Sequence, residues 1–167
     1  MSNTQENLQA AFAGESQANR RYLFFAEKAE KDGQPQVARL FRAIAEAETV
    51  HARNHLSTSG NIKSTKENLE EAIDGEHYEF TKMYPEFIEQ ARAEGVKRAE
   101  VTFDYANKVE KIHHSLYEKA LKSLEGGQQP EGKSFFVCQV CGYTVEGAAP
   151  DKCPICGAPQ SRFKQVD

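Results

Sequence analysis

Seven side chains suited to holding a pair of metal ions recur along the first two thirds of the chain. Glu15 is followed 33 residues later by Glu48-x-x-His51, and Glu76 is followed 34 residues later by Glu110-x-x-His113. Glu79 stands three residues after Glu76. Residues three or four apart share one face of a helix, so each Glu-x-x-His pair, and the Glu76/Glu79 pair, presents both side chains to the same side. The Glu76 row also carries Leu69, Ala72, Ile73, Phe80, Met83 and Phe87, and nothing basic. Carboxylates on an apolar face need partners, because burying an unpaired charge is costly. A solvated face would explain one such glutamate. Two Glu-x-x-His pairs in matching registers, both on apolar faces, point instead to metal. Two cations would neutralise carboxylates that otherwise repel one another and take up protons. Hard carboxylate oxygens with one or two imidazoles suit iron or manganese.

Charge counting refines the expectation. Two Fe(II) ions carry four positive charges, matched by four carboxylates, whereas two Fe(III) ions with one bridging hydroxide carry five, matched by five. His51 is therefore expected to replace one glutamate when the pair is reduced. Tyr22 lies on the Glu15 face and Tyr84 sits beside Pro85. Each is suited either to hydrogen-bond a ligand or to pack in the core. His55 is expected to be a core or hydrogen-bonding residue, and His77 and His114 are expected to face solvent.

A second donor set follows. Cys138-x-x-Cys141-Gly and Cys153-x-x-Cys156-Gly form two knuckles with eleven residues between them. Four thiolates at this spacing make a tetrahedral site for zinc or iron. The redox-capable dimetal pattern on the same chain favours iron, which can pass one electron where zinc cannot.

The elements that must position these residues are mostly helices. Residues 4–32 form the first by periodicity, ended by Asp32-Gly33, and Pro35 opens the second. Ser64-Thr65-Lys66-Glu67 reads as a capping box opening a third. Pro85 is expected to kink or briefly break that helix just past the carboxylates. Gly95 separates it from a fourth helix, which stops at Glu125-Gly126-Gly127. Composition makes 126–133 a linker. Two β-like runs, Phe135-Phe136-Val137 and Tyr143-Thr144-Val145, then wrap the cysteine pairs. The expected division is 1–125, a helical bundle; 126–133, a linker; and 134–167, a small metal-binding domain. The net charge of −4 and the absence of a long basic run argue against general nucleic-acid binding. No apolar run approaches a membrane span, and Met1–Ala10 lacks a signal-peptide core. A cytoplasmic protein is expected.

The glutamate and Glu-x-x-His pattern resembles the ferritin-like dimetal carboxylate bundles. Over nearly its whole length the chain resembles the rubrerythrin family, in Gly14-Glu15-Ser16, Glu48-Thr-Val-His51, Gly75-Glu76-His-Tyr-Glu79, Glu110-Lys-Ile-His113 and the Cys138–Cys156 knuckles. That resemblance implies a mainly α fold: a ferritin-like four-helix bundle with a diiron site, plus a small β-rich rubredoxin-like domain with one iron in four cysteines. It implies that Glu48 and Glu110 bridge the irons, that Glu15 is terminal on one, that Glu76 and His113 hold the other, and that Glu79 and His51 alternate. It also implies reduction of hydrogen peroxide in oxidative-stress defence, with electrons from NAD(P)H through a separate reductase or small carrier.

The connection between the second and third helices is short for a bundle in which they run parallel. The expectation is a homodimer, domain-swapped so that two helices of one chain meet two of another, or a higher homo-oligomer. The rival reading is ferritin-like iron oxidation and storage with a structural zinc-ribbon tail. The attached four-cysteine module argues against it, since storage needs no electron relay.

Overall fold

The computed structural model describes residues 3–127 and 132–166. Of the expected 126–133 linker, residues 128–131 lie outside the described residues. The chain divides into two units, Met1–Lys63 and Ser64–Asp167.

The first unit is a hairpin of α1 (Asn3–Lys31) and α2 (Pro35–Thr58). Gly33 takes φ 71° to close α1, where a side chain would be strained. Pro35 occupies the first turn of α2, where its missing N–H costs nothing. The seam is built from alanines: Ala18, Ala26 and Ala29 of α1, and Ala38, Ala45 and Ala52 of α2, are buried. The α2 alanines recur every seven residues, which keeps one stripe against the neighbouring helix. Small residues let the helices approach closely, and Asn19 Nδ2 crosses the seam to donate to the Ala45 carbonyl (2.6 Å) and to Thr49 Oγ1 (2.9 Å). The bulkier apolar side chains lie elsewhere: Phe24, Leu40, Ile44 and Val50 are exposed. The hairpin thus carries apolar surface that its own core does not cover.

In the second unit, α3 (Thr65–Tyr78) continues through a π-helical turn (Glu79–Met83) into α4 (Tyr84–Ala93), and α5 (Lys97–Glu125) returns alongside. The expected capping box is present: Ser64 accepts from the Glu67 N–H while the Glu67 side chain takes the Ser64 N–H. Gly95, at φ 72°, separates α4 from α5.

The break expected at Pro85 takes the form of the π turn. Within a regular α-helix the proline ring would clash with the carbonyl four residues earlier and leave it without a donor. The wider turn relieves this, and the Tyr84 N–H bonds the Glu79 carbonyl five residues back. The sequence explains why the turn holds one extra residue. Before it, the two hairpins are offset by 61 positions, as in Gly14 to Gly75 and Glu15 to Glu76. After it the offset is 62: Tyr22 to Tyr84, Phe25 to Phe87, Phe41 to Phe103, Glu48 to Glu110, His51 to His113. The π turn absorbs this single insertion, so Glu76 and Tyr84 keep a common face. The aromatic clusters obey the same relation. Tyr22, Phe25 and Phe41 pack together in the first unit, as do Tyr84, Phe87 and Phe103 in the second.

Three short antiparallel strands complete the second unit: β1 (Phe135–Cys138), β2 (Thr144–Glu146) and β3 (Phe163–Val166), in the order β2-β1-β3. Phe136 is opposite Val145 on one side and Gln165 on the other. The first two strands match the expected β-like runs to within a residue. The third, Phe-Lys-Gln-Val, has no apolar alternation to announce it, and it is mostly exposed.

The sheet sits on α5. A Cβ at Gly142 would stand 3.8 Å from Val109 Cγ1, and Lys119 pairs with Glu146. Among the described residues, no helix is long and apolar enough to cross a membrane.

Candidate metal centres

The four cysteines converge. Cys138 and Cys153 are buried, and Cys141 and Cys156 are half-buried. Each knuckle is closed by an N–H reaching back four residues: Gly142 to the Cys138 carbonyl and Gly157 to the Cys153 carbonyl, both 2.9 Å. The glycines adopt φ 84° and 75°, which a side chain would resist. Sulfur–sulfur distances are 3.7 Å for Cys138–Cys156 and 3.6 Å for Cys141–Cys153. A tetrahedron with metal–sulfur bonds of about 2.3 Å has edges of roughly 3.8 Å, so the cage already has the size of one metal ion. Burial pushes the Cys141 and Cys156 thiols up. At Cys153 burial acts the same way, but N–H groups of Cys156 and Ile155 and the neighbouring thiols outweigh it and bring the thiol to about 7. One thiol is thus poised to ionise first, as metal binding requires.

In the first unit the ligand atoms of Glu15, Glu48 and His51 lie within 4.8 Å of one another. Glu48 is the hub. It accepts from His51 Nδ1 at 2.9 Å and shares a hydrogen bond with Glu15. The shared bond raises the Glu15 carboxyl, while His51 first and Glu15 second hold Glu48 below the usual carboxylate range. His51 remains 54% exposed.

The second unit repeats the arrangement with more burial. Glu76, Glu110 and His113 bring their ligand atoms within 4.8 Å. Again the Glu-x-x-His glutamate is central: His113 Nδ1 is 2.6 Å from Glu110 Oε2 and 3.8 Å from Glu76 Oε1. Burial, followed by the Glu110 charge, raises Glu76 to about 7. Glu79, at the start of the π turn, stands outside this trio. It still feels it: burial and Glu110 push its carboxyl up, and His113 pulls it down. The hydrogen bond to Glu110 raises the His113 imidazole, against its burial. Two trios of hard donors, with the Glu15 and Glu76 carboxyls raised where no positive charge balances their neighbours, match the needs of a dimetal centre.

The remaining candidates divide. Tyr84 faces the carboxylates, since burial and then Glu79, Glu110 and Glu76 raise its phenol. The ring of Tyr22 packs between Phe25 and Phe41. His77 is exposed, as expected, and His55 is half-buried. His114 departs from expectation. It does not face solvent freely; its side chain is 17% exposed and its ring lies edge-on to Phe80 at 5.5 Å. The π turn brings Phe80 to that position, which the sequence pattern alone does not reveal. One functional neighbour escapes sequence reasoning entirely. Thr144 Oγ1 lies 3.0 Å from His113 Nε2, a contact across 31 residues that no local pattern encodes.

Fold and donor sets together define a class: a dimetal-carboxylate helical protein that carries a four-thiolate iron module. Comparison with known proteins narrows this. The rubrerythrin family description matches residues 6–121, and the rubrerythrin rubredoxin-like domain matches residues 136–164. Rubrerythrin-2 of Clostridium acetobutylicum is 37% identical, covering 96% of this chain and 95% of its own length. Rubrerythrin of Porphyromonas gingivalis is 39% identical, covering 99% of this chain and 90% of its own. A solved structure of nigerythrin in a mixed-valence state is 34% identical with a TM-score of 0.59, over 99% of this chain and 88% of that one. The chain belongs to the rubrerythrin family. Its fold class is mainly α, with a ferritin-like helical part and a small β-rich rubredoxin-like module. Both donor sets fit iron cofactors of the nigerythrin kind. Membership and donor sets together support an iron-based oxidoreductase of oxidative-stress defence.

Proposed function

We propose that this chain is a peroxidase that reduces hydrogen peroxide to water at a diiron centre formed by both trios, with electrons relayed through the four-cysteine module. The observation that carries the reading is the seat of that module. His113 of the second trio is hydrogen-bonded to Thr144, three residues beyond Cys141. A relay site in touch with a dimetal ligand serves reduction; iron deposition has no use for it. When bound, the two irons would supply the electron pair that breaks the O–O bond, and the single cysteine-bound iron would restore those electrons one at a time.

The residues take roles that their contacts support. Glu48 and Glu110, each touching both other members of its trio, suit bridging positions. Glu15 and Glu76 suit terminal ones. Glu79 and His51 stand at the edges of the donor sets and suit the alternating pair. Tyr84 borders the carboxylates and Tyr22 braces the aromatic cluster of the first unit. Cys138, Cys141, Cys153 and Cys156 hold the relay iron. The domain division proposed is 1–125, 126–133 and 134–167. One peroxide takes two electrons and two protons to give two waters. The donor proposed is NAD(P)H through a separate reductase or small carrier, in the cytoplasm.

A homodimer with exchanged halves is part of this proposal. Suppose α2 and α3 of one chain ran parallel with Glu48 and Glu76 level. Glu48 lies ten residues before the end of α2, and Glu76 eleven after the start of α3. At ~1.5 Å per helical residue the connection would have to climb about 31 Å. From Thr58 to Thr65 is seven steps, or about 23–25 Å fully extended. A second copy supplying the other trio removes the shortfall. The exposed apolar side chains of the first unit also call for cover.

Peroxide consumption by iron-loaded protein, driven by NADH and a generic rubredoxin reductase, tests the activity. Cys138→Ser is expected to abolish NADH-linked turnover while the helical part still binds two irons. Undiminished turnover in that variant would remove the relay. Sedimentation tests the assembly: a dimer is expected, and a monomer holding two irons per chain in its carboxylate site would refute the exchange.

A further inference from the structure

We infer that Thr144 is a positioning residue for the dimetal centre: its hydroxyl sets the tautomer and ring orientation of His113 and ties the first cysteine knuckle to that ring. The inference rests on the reading of His113 as a metal ligand and adds a residue to it.

A threonine hydroxyl has one hydrogen to give. Thr144 Oγ1 gives it to the Gly142 carbonyl, 3.0 Å away. Towards His113 Nε2, also at 3.0 Å, the hydroxyl can therefore only accept. The Gly142 carbonyl lies within hydrogen-bonding reach of His113 as well, and it too can only accept. Nε2 thus faces the Thr144 hydroxyl as an acceptor and carries the hydrogen. In the metal-free protein Nδ1 also carries a hydrogen, given to Glu110; a metal entering there would displace it, and the neutral imidazole that results keeps its hydrogen at Nε2 and its lone pair at Nδ1. Nδ1 is the atom turned to Glu110 Oε2 and Glu76 Oε1, where a metal would bind. A metal-bound histidine commonly needs such a partner on its far nitrogen to fix ring and tautomer.

The same hydroxyl serves the module. Gly142 follows Cys141 directly, and its N–H closes the first knuckle on the Cys138 carbonyl. Thr144 heads β2 and pairs with Val137 of β1, one residue before Cys138. One side chain therefore links a dimetal ligand to the loop that bears two thiolates. Two further features that seat the module on α5, the space between Gly142 and Val109 being too narrow for more than a Cβ and the Lys119–Glu146 pair, do not involve the hydroxyl. Removing it should loosen the ring without releasing the module.

The test uses full-length, iron-loaded, fully reduced protein. Proton NMR follows the paramagnetically shifted, exchangeable N–H of His113, assigned by its loss in His113→Gln. Stopped-flow absorbance follows return of the thiolate–iron band after peroxide. In Thr144→Val, with the hydroxyl acceptor removed, the N–H is expected to exchange with solvent at least fivefold faster and the band to return at least fivefold more slowly. Thr144→Ser restores both. Circular dichroism and an undiminished thiolate–iron band certify the fold, with Thr144→Ala as the substitute should valine lose the cysteine-bound iron. An N–H and a band return unchanged in Thr144→Val overturn the inference while leaving His113 a ligand. Absence of any shifted His113 N–H in the parent protein overturns the ligand reading itself.

Discussion

Glu76→Gln separates what the site needs for metal from what the fold needs for stability. In the metal-free protein, burial and the neighbouring Glu110 charge raise the Glu76 carboxyl to about 7, from an ordinary 4.5. A carboxyl whose pKa is higher folded than unfolded favours the folded state in acid. That preference is fully present below about 4.5 and is lost as pH climbs through about 7. Fully expressed, the difference amounts to ~3 kcal/mol; solvent access around a partly buried group reduces it to roughly 1–2 kcal/mol. Glutamine keeps the shape and removes the charge. In denaturant melts with chelator present, Glu76→Gln is expected to exceed the parent by about 1–2 kcal/mol at pH 8.5 and to match it near pH 5. The same variant should bind less iron at the carboxylate site. A parent protein whose metal-free stability does not fall between pH 5 and 8.5, or a variant with the same pH slope, would refute the reasoning.

Other substitutions probe the scaffold. Ser64→Ala removes the side-chain arm of the capping box and should lower stability by ~1 kcal/mol in thermal melts. Ala38→Leu forces a large side chain into a seam where Ala38 has no exposed surface; the expected cost is about 1–3 kcal/mol, and no loss in a denaturant melt would mean that the seam is not tightly packed. Cys153→Ser takes away the most readily ionised thiol of the cage and should abolish the visible thiolate–iron absorption, leaving far-ultraviolet circular dichroism nearly unchanged because the module contributes only short strands beside long helices.

Much of this architecture follows from short-range rules. Glu48 and His51, or Glu110 and His113, sit three apart on a helix and must share a face, so the pairing at the heart of each trio is legible in the sequence alone. The knuckles follow in the same way from two Cys-x-x-Cys-Gly units, and the start of α3 from Ser64 and Glu67. Pro85 marks a disturbance but not its kind. Only the shift from 61 to 62 between the two hairpins discloses a one-residue insertion, and only the backbone shows that a π turn absorbs it. The shelter of His114 is hidden for the same reason, because its neighbour Phe80 lies on that turn. Thr144 is invisible as a partner because nothing local distinguishes a threonine that heads a strand from one that bonds a ligand 31 residues away. The alanine seam of the first unit is not announced by the sequence pattern either, because the large side chains that would mark a core face, such as Leu40 and Phe24, are the ones left uncovered.

The most direct test of the central claim is a single-turnover titration of anaerobically reduced, iron-loaded protein with hydrogen peroxide, beside a dioxygen control, read at the thiolate–iron band. Rapid return of the band with peroxide, and slow return with dioxygen, is the predicted result, since electrons must leave the cysteine-bound iron through the carboxylate site to reach peroxide. A band that ignores peroxide while the carboxylate irons oxidise would contradict the account, because the two centres would then not be in electronic contact.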